Sequence, residues 1–510
     1  MPGRFVFLFS WVLTSSGFLF ADKPDPWNQF RGVNGSGVRE DAAVPVPSDK
    51  NLKWSTTVPW GLSCPVLSEN KIFITGIEGG RLVTCALNRK TGKFIWKKKA
   101  PPTPIEKFHK SSSPATPTPY VDGNRIFVYF GSFGLLCYDF DGKEIWRKPL
   151  SSPKSLYGTS SSPIVEGDLL LLVLDDDANL PDSAVSRSHI LAVDKRSGKT
   201  AWEKPRPFHR SGWSTPTIWN HSGGKELVVL GNGSLRGYAL PSGEEKWQLD
   251  GFSRETIARP MTGNGLVYAS ASKLGGSPDL NSDPEPFWKA VISFDANEDG
   301  KLERKEMTGH FTFPFRPQLA PGHPGYGLPL PQEPGKRKKR LDGMLNWMDK
   351  NKDGFWTKEE FIENLTVGRG KPLLVAVRPG GSGNVSDTHV EWECNKGIPE
   401  VPSPLLHQKR IYMIANGGVL TCVNGRTGAI IYRKRLGGLG QYVASPVVAG
   451  KNLILISEQG LVSVVSTGDE FKVIGRHDVS QTVQVTPALG QDSIYIRSKG
   501  KLQAFRNEGS

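Results

Sequence analysis

The chain has 510 residues, 37% hydrophobic and 22% charged, which suffices for a large buried core and excludes a compositionally disordered protein. Gly (57) and Pro (39) are frequent enough to favour many short strands and turns over long helices. The formal net charge of +14 admits anionic polysaccharide, envelope lipid or nucleic acid as partners, but the one dense basic run, Lys336 to Arg340 ("KRKKR"), has no interleaved aromatics and no nucleic-acid motif, so it reads as a solvated loop and no specific nucleic acid is expected.

Arg4, the apolar stretch Phe5 to Phe20 and Ala21 before "DKPDP" read as a secretory signal over residues 1–21. An uncleaved anchor is the competing reading, but about 16 residues interrupted by Ser, Thr and Gly are short for a span. Cleavage after Ala21 leaves 63 basic against 50 acidic residues and no transmembrane span, with a secreted, periplasmic or cell-envelope location. No Cys lies near the cleavage site to carry a lipid. Cys64, Cys85, Cys137, Cys394 and Cys422 are scattered, have no metal-ligand spacing, and read as small core residues.

A phrase then recurs: Ser or Thr, Pro, a few residues, a turn, an apolar run. Its prolines are Pro65, Pro119, Pro163, Pro216, Pro260, Pro404, Pro446 and Pro487, at spacings of 54, 44, 53, 44, 144, 42 and 41 residues. A third strand and a fourth carrying Trp follow in most units, at Trp96, Trp146, Trp202, Trp247 and Trp392; the sixth unit has Tyr432 there. Four strands repeated eight times predict an all-β, eight-bladed β-propeller. The eighth unit stops after three strands, so "NLKWSTTV" around Trp54 is expected to supply its fourth strand and close the ring. The Trp residues read as packing between blades.

Within these units, Ala86 to Trp96 and Ala192 to Trp202 follow A-x-[DN]-x-x-[TS]-G-x-x-x-W, which resembles the PQQ-like repeat of quinoprotein-type propellers. "WNQFRGVNGSG" (Trp27 to Gly37) and the later "RPGGSGNVSDTHVEW" resemble a secreted bacterial family with this propeller. The resemblance covers nearly all of the mature chain. It implies the fold, and leaves the activity open.

The long spacing in unit five holds two twelve-residue segments, "DANEDGKLERKE" and "DKNKDGFWTKEE". Each has the ligand spacing of a calcium-binding EF-hand loop. The first offers Asp295, Asn297, Asp299, the Lys301 carbonyl, Glu303 and bidentate Glu306. The second offers Asp349, Asn351, Asp353, the Phe355 carbonyl, Thr357 with a water, and Glu360. Gly300 and Gly354 sit at the sixth position, where the chain turns sharply. Calcium is a hard cation that takes six to eight oxygens, which these sets approach. "PFWKAVISF", "LDGMLNWM" and "KEEFIENL" are the expected flanking helices, and the Pro-rich, basic stretch 315–340 separates the two hands. The division is therefore signal (1–21), propeller (22–274), small α-helical EF-hand insert in blade five (275–370) and propeller (371–510). The acidic loop "DDDANLPDS" (Asp175 to Ser183) of blade three reads as a solvated turn.

The preferred functional reading is a secreted calcium-binding propeller without catalytic residues, binding an unidentified protein or carbohydrate on its loop face or acting as an envelope scaffold. The eight-bladed outer-membrane assembly lipoproteins are the comparison for the scaffold. The alternative is a PQQ-dependent quinoprotein dehydrogenase. That reaction needs a quinone, a calcium ion on it, a carboxylate base and a polarising cation. No such constellation is visible, and the adjacent cysteines of the alcohol dehydrogenases that the resemblance brings to mind are missing.

Overall fold

Apolar runs such as "KIFIT" and "RLVTCALN" become the buried second and third strands of a blade, and amphipathic runs such as "FIWKKK" become its half-exposed fourth. Blade one joins Val66–Leu67, Lys71–Glu78, Arg81–Asn88 and Phe94–Lys99 as an antiparallel meander. The computed structural model describes residues 27–155, 157–176, 187–206, 209, 212–231, 233–253, 256–272, 285–314, 326–366, 372–438 and 440–507. The segment 1–21 read as a signal lies outside them, as does most of the acidic loop of blade three.

Eight such sheets form an eight-bladed propeller. The strand Leu52–Thr57 pairs antiparallel with Lys501–Arg506, so the N-terminal strand does complete the last blade. Arg497, fully buried, stitches the same junction by donating to the Pro59, Ser63 and Thr75 carbonyls and to Ser63 Oγ at 2.7–3.0 Å.

Five of the repeated Trp positions join neighbouring blades. Trp54, Trp96, Trp146, Trp202 and Trp392 each donate Nε1 to a carbonyl in the third-to-fourth-strand turn of the next blade, at 2.9–3.3 Å. The turn glycine lies against the ring: a Cβ at Gly92 would stand 2.5 Å from Trp54, and Gly92 holds φ +71. The Gly of the repeat is thus required twice, for its backbone and for its missing side chain. Trp247 differs. It donates to Glu226 Oε2 of its own blade at 2.7 Å.

A second ring of contacts surrounds the axis. The residue before each repeat proline is Cys64, Thr118, Ser162, Thr215, Arg259, Ser403, Ser445 or Thr486. Hydroxyls of Thr118, Ser162, Thr215, Ser403, Ser445 and Thr486 accept the backbone N–H of the equivalent residue one blade earlier, at 2.9–3.0 Å. The Ser/Thr-Pro phrase is therefore an interblade latch. Proline cannot donate, so the N–H of the residue before it is the one the pair offers, and the next blade's hydroxyl accepts it.

The insert leaves blade five after Leu266–Ala271 and returns at Leu373–Val377. Its helices are α1 (Glu285–Ile292), α2 (Pro334–Met348) and α3 (Lys358–Thr366). They enclose a separate core of Phe287, Trp288, Val291, Leu302, Met307, Phe311, Phe313, Leu341, Met344, Met348, Trp356 and Phe361. Two expectations are corrected. The basic run Lys336 to Arg340 is the first half of α2, because Pro334 starts the helix and the apolar stripe that follows anchors it. Asp175 and Asp176 are buried: Asp175 pairs with Arg206 at 3.0 Å and Asp176 with Arg187 at 2.7 Å. A buried carboxylate requires such a partner, and Arg206 lies too far along the chain for the pairing to be visible in sequence.

Candidate functional site

The two twelve-residue loops of the insert fold alike. In the first, Asp295 accepts N–H bonds from Asp299 and Gly300 (3.3 and 2.8 Å), and Asn297 Oδ1 accepts from Asp299 (3.1 Å). Asp299 accepts from Lys301 (2.9 Å). Glu306 spans the loop, taking Ala296 N–H on Oε1 and Glu303 N–H on Oε2 (2.9 and 3.0 Å). In the second, Asp349 accepts from Asp353 and Gly354 (3.1 and 2.9 Å), Asn351 from Asp353 (2.9 Å), and Asp353 from Phe355 (3.0 Å). Glu360 takes Lys350 N–H on one oxygen and Thr357 N–H and Oγ1–H on the other, at 3.0–3.2 Å. Gly300 and Gly354 hold φ +79 and +90 at the turn.

The loops also meet. Leu302–Glu303 and Phe355–Trp356 pair antiparallel, with Leu302 opposite Trp356. Lys301 Nζ lies 5.0 Å from the Phe355 ring centroid, across the pair. The two loops therefore pack as a pair despite the long stretch between them. At the ninth positions, Glu303 is engaged by Lys305 and Thr357 by Glu360. Among the described residues no three His, Cys, Asp or Glu side chains stand together as a metal-holding group. Each loop gathers Asp, Asn and Glu side-chain oxygens, which accept the loop's own N–H groups. This oxygen-only donor set fits a hard divalent cation and not a soft one.

The second candidate is the channel. One end is closed by the leading segment. Trp27 O accepts Leu67 N–H, Asn28 exchanges bonds with Val121, Asn34 with Ile218, and Val38 pairs with Val448, so the segment crosses the innermost strands of several blades. Phe30 faces the interior. The other end opens as a cavity of about 290 Å³ among the between-blade connections. Glu400, Gln441, Glu458 and Gln484 form one wall, and Tyr157 and Trp213 stand on the other. Gln484 donates to Glu458 (2.7 Å), and Asn416 donates to Glu400 (3.1 Å). Trp213 is fixed by its bond to the Gly158 carbonyl (3.0 Å) and an edge contact with Tyr157. Ser272, the last described residue before the insert, belongs to the same rim.

This cavity tests the quinone reading. PQQ is an aromatic tricarboxylate and needs cations to hold it. Among the described residues the cavity is lined by two glutamates and by no Lys or Arg. The described lining residues do not fit the group. Sequence reasoning missed the mouth cavity. Its only trace was the residue three before each repeat proline, whose identity varies from Leu62 to Thr116, Ser160, Trp213 and Gln484.

Comparisons with known proteins agree on the architecture. The BamB structure from Moraxella catarrhalis is 11% identical, with 92% of this chain and 99% of that chain covered and a TM-score of 0.51. The quinohemoprotein alcohol dehydrogenase ADHIIG from Pseudomonas putida HK5 is 12% identical, with 96% and 81% covered and a TM-score of 0.50. The computationally designed protein Ika8 is 10% identical, with 88% and 98% covered and a TM-score of 0.50. A search of curated proteins gave no match. Among the described residues no helix is long and apolar enough to cross a membrane. The profile described as outer membrane protein assembly factor BamB matches residues 79–309 and 374–510, more than half of the chain, and the protein belongs to that family.

Proposed function

We propose that the protein is an exported, non-catalytic envelope propeller that binds a protein or carbohydrate at the open mouth of its channel, with calcium held in the two loops of the insert. The observation that carries the reading is the mouth cavity itself. An aromatic wall faces an acid and amide wall, and among the described residues no cation lines it for an anionic quinone. Such a wall pair suits a ligand with both an apolar face and hydrogen-bonding groups. The insert begins at the same rim, so ordering it would shape the mouth. Calcium would be held by Asp295, Asn297, Asp299, the Lys301 carbonyl and Glu306, and by Asp349, Asn351, Asp353, the Phe355 carbonyl and Glu360. Family membership supports an envelope location and a protein partner.

The test is titration of soluble envelope glycans and of outer-membrane protein peptides into the mature chain in millimolar calcium. Binding that is lost in Trp213→Ala and in Glu458→Gln supports the reading. Stoichiometric PQQ retained after exhaustive dialysis would overturn it in favour of the dehydrogenase.

A further inference from the structure

At the closed end of the channel, opposite the mouth, lies a cavity of about 420 Å³ between the leading segment and the first hairpins of blades two to five. Its polar groups are unusual. Arg259 is 1% exposed and lines it. Arg259 Nη1 is anchored, donating to Gln29 Oε1 at 3.3 Å and to the Phe30 carbonyl at 3.1 Å. Nε and Nη2 have no hydrogen-bond partner. These two nitrogens form one edge of the guanidinium, the edge that grips an oxyanion with two parallel bonds. Gly35 lies against the same group: a Cβ there would come within 2.2 Å of Nη1, so the position admits no side chain while the guanidinium stays in place.

A second donor lines the same cavity. Trp219 is 1% exposed and its Nε1 has no partner. The carboxylate on the lining, Glu166, is taken by Lys225 at 2.5 Å. Among the described residues no carboxylate pairs with Arg259. Its charge is felt by Arg31, itself buried and with Nε and Nη1 unpartnered. Burial lowers the Arg259 pKa to about 9, which leaves it charged at neutral pH. Two buried guanidinium cations that repel one another without a counter-charge are costly. Unpaired buried donors call for a missing water or ion.

We infer that this cavity is an anion site: the Nε/Nη2 edge of Arg259, with Trp219 Nε1, receives the oxyanion head of a small ligand, a carboxylate or a phosphate. The ligand's body lies against Val33, Ile164 and Ile218. The site depends on neither calcium nor the mouth cavity.

The test uses the mature chain. Crystals soaked in bromide should give an anomalous peak within hydrogen-bond distance of Arg259 Nε and Nη2, absent in Arg259→Met. In solution, acetate or inorganic phosphate at constant ionic strength should raise the melting temperature by about 3 °C at a hundredfold excess over Kd. The more effective of the two names the head group. Trp219→Phe keeps the ring and should weaken binding about fivefold. Water alone in the soaked wild-type crystal would overturn the site, as would equal shifts in wild type and Arg259→Met. Should Arg259→Met fail to fold, the wild-type soak and Trp219→Phe decide.

Discussion

The propeller and its insert are stabilised in opposite ways. Most blades are fixed to the next by repeated devices: a Trp on a turn carbonyl at five junctions, a hydroxyl on a backbone N–H at six, and apolar strands in contact. The contacts are many and repeated, and the ring has no free end. The insert has a single small core and two loops whose carboxylates fold back on their own N–H groups. Repetition makes the first insensitive to any one ligand. The second gathers acidic oxygens in two turns, and a cation there would relieve their mutual repulsion. The stability of one is built in, and that of the other is conditional.

The comparison breaks first at ring closure. Arg497→Met removes the guanidinium that serves three buried carbonyls between the last and first blades, and should cost about 4 kcal/mol of whole-ring stability in denaturant unfolding, with or without chelator. A loss seen only with chelator would erase the distinction. Next is the insert. With calcium at a hundredfold excess over Kd, chelation or Glu306→Gln with Glu360→Gln should remove about 3 kcal/mol, read as loss of hydrogen-exchange protection confined to residues 285–366. Equal deprotection of the blades would show that the two regions unfold together. Smaller is the latch. Ser445→Ala leaves the Ser403 N–H unpaired and should cost about 2 kcal/mol, whereas Ser445→Thr should restore it.

The smallest effect concerns pH. Asp469 accepts two bonds from Arg410 (both 2.7 Å), joining blades six and seven at the surface, and this holds its pKa below the ordinary carboxylate value. A depressed folded pKa contributes stability above the unfolded value and loses it as pH falls through the folded one. Asp469→Asn should therefore lower the melting temperature slightly at neutral pH and not at all in strong acid, and salt should shrink the difference. An undiminished difference in acid would place the cause elsewhere than in the charge.

Much of this was legible in the sequence because it repeats. The eight prolines and the Trp series give the blade count, and "NLKWSTTV" before the first unit foretold the closing strand. That segments 295–306 and 349–360 fold alike was legible in their shared residue spacing. Less legible were residues whose role depends on a distant partner. Asp175 looked like part of a solvated turn until Arg206 met it in the interior. "KRKKR" looked like a loop because its charge masked the helix that Pro334 begins.

By itself, then, the sequence determined what short-range chemistry encodes. Strand periodicity, turn glycines with positive φ, hydroxyl-proline pairs and oxygen spacing all act within a dozen residues. The tertiary structure alone decided which end of the channel is closed, which residues face the mouth, and that Arg259 meets the leading segment 229 positions away through the Phe30 carbonyl. Those outcomes follow from closing the ring. Only closure brings the residues before eight prolines around one axis and buries beneath them cations that no local pattern had marked.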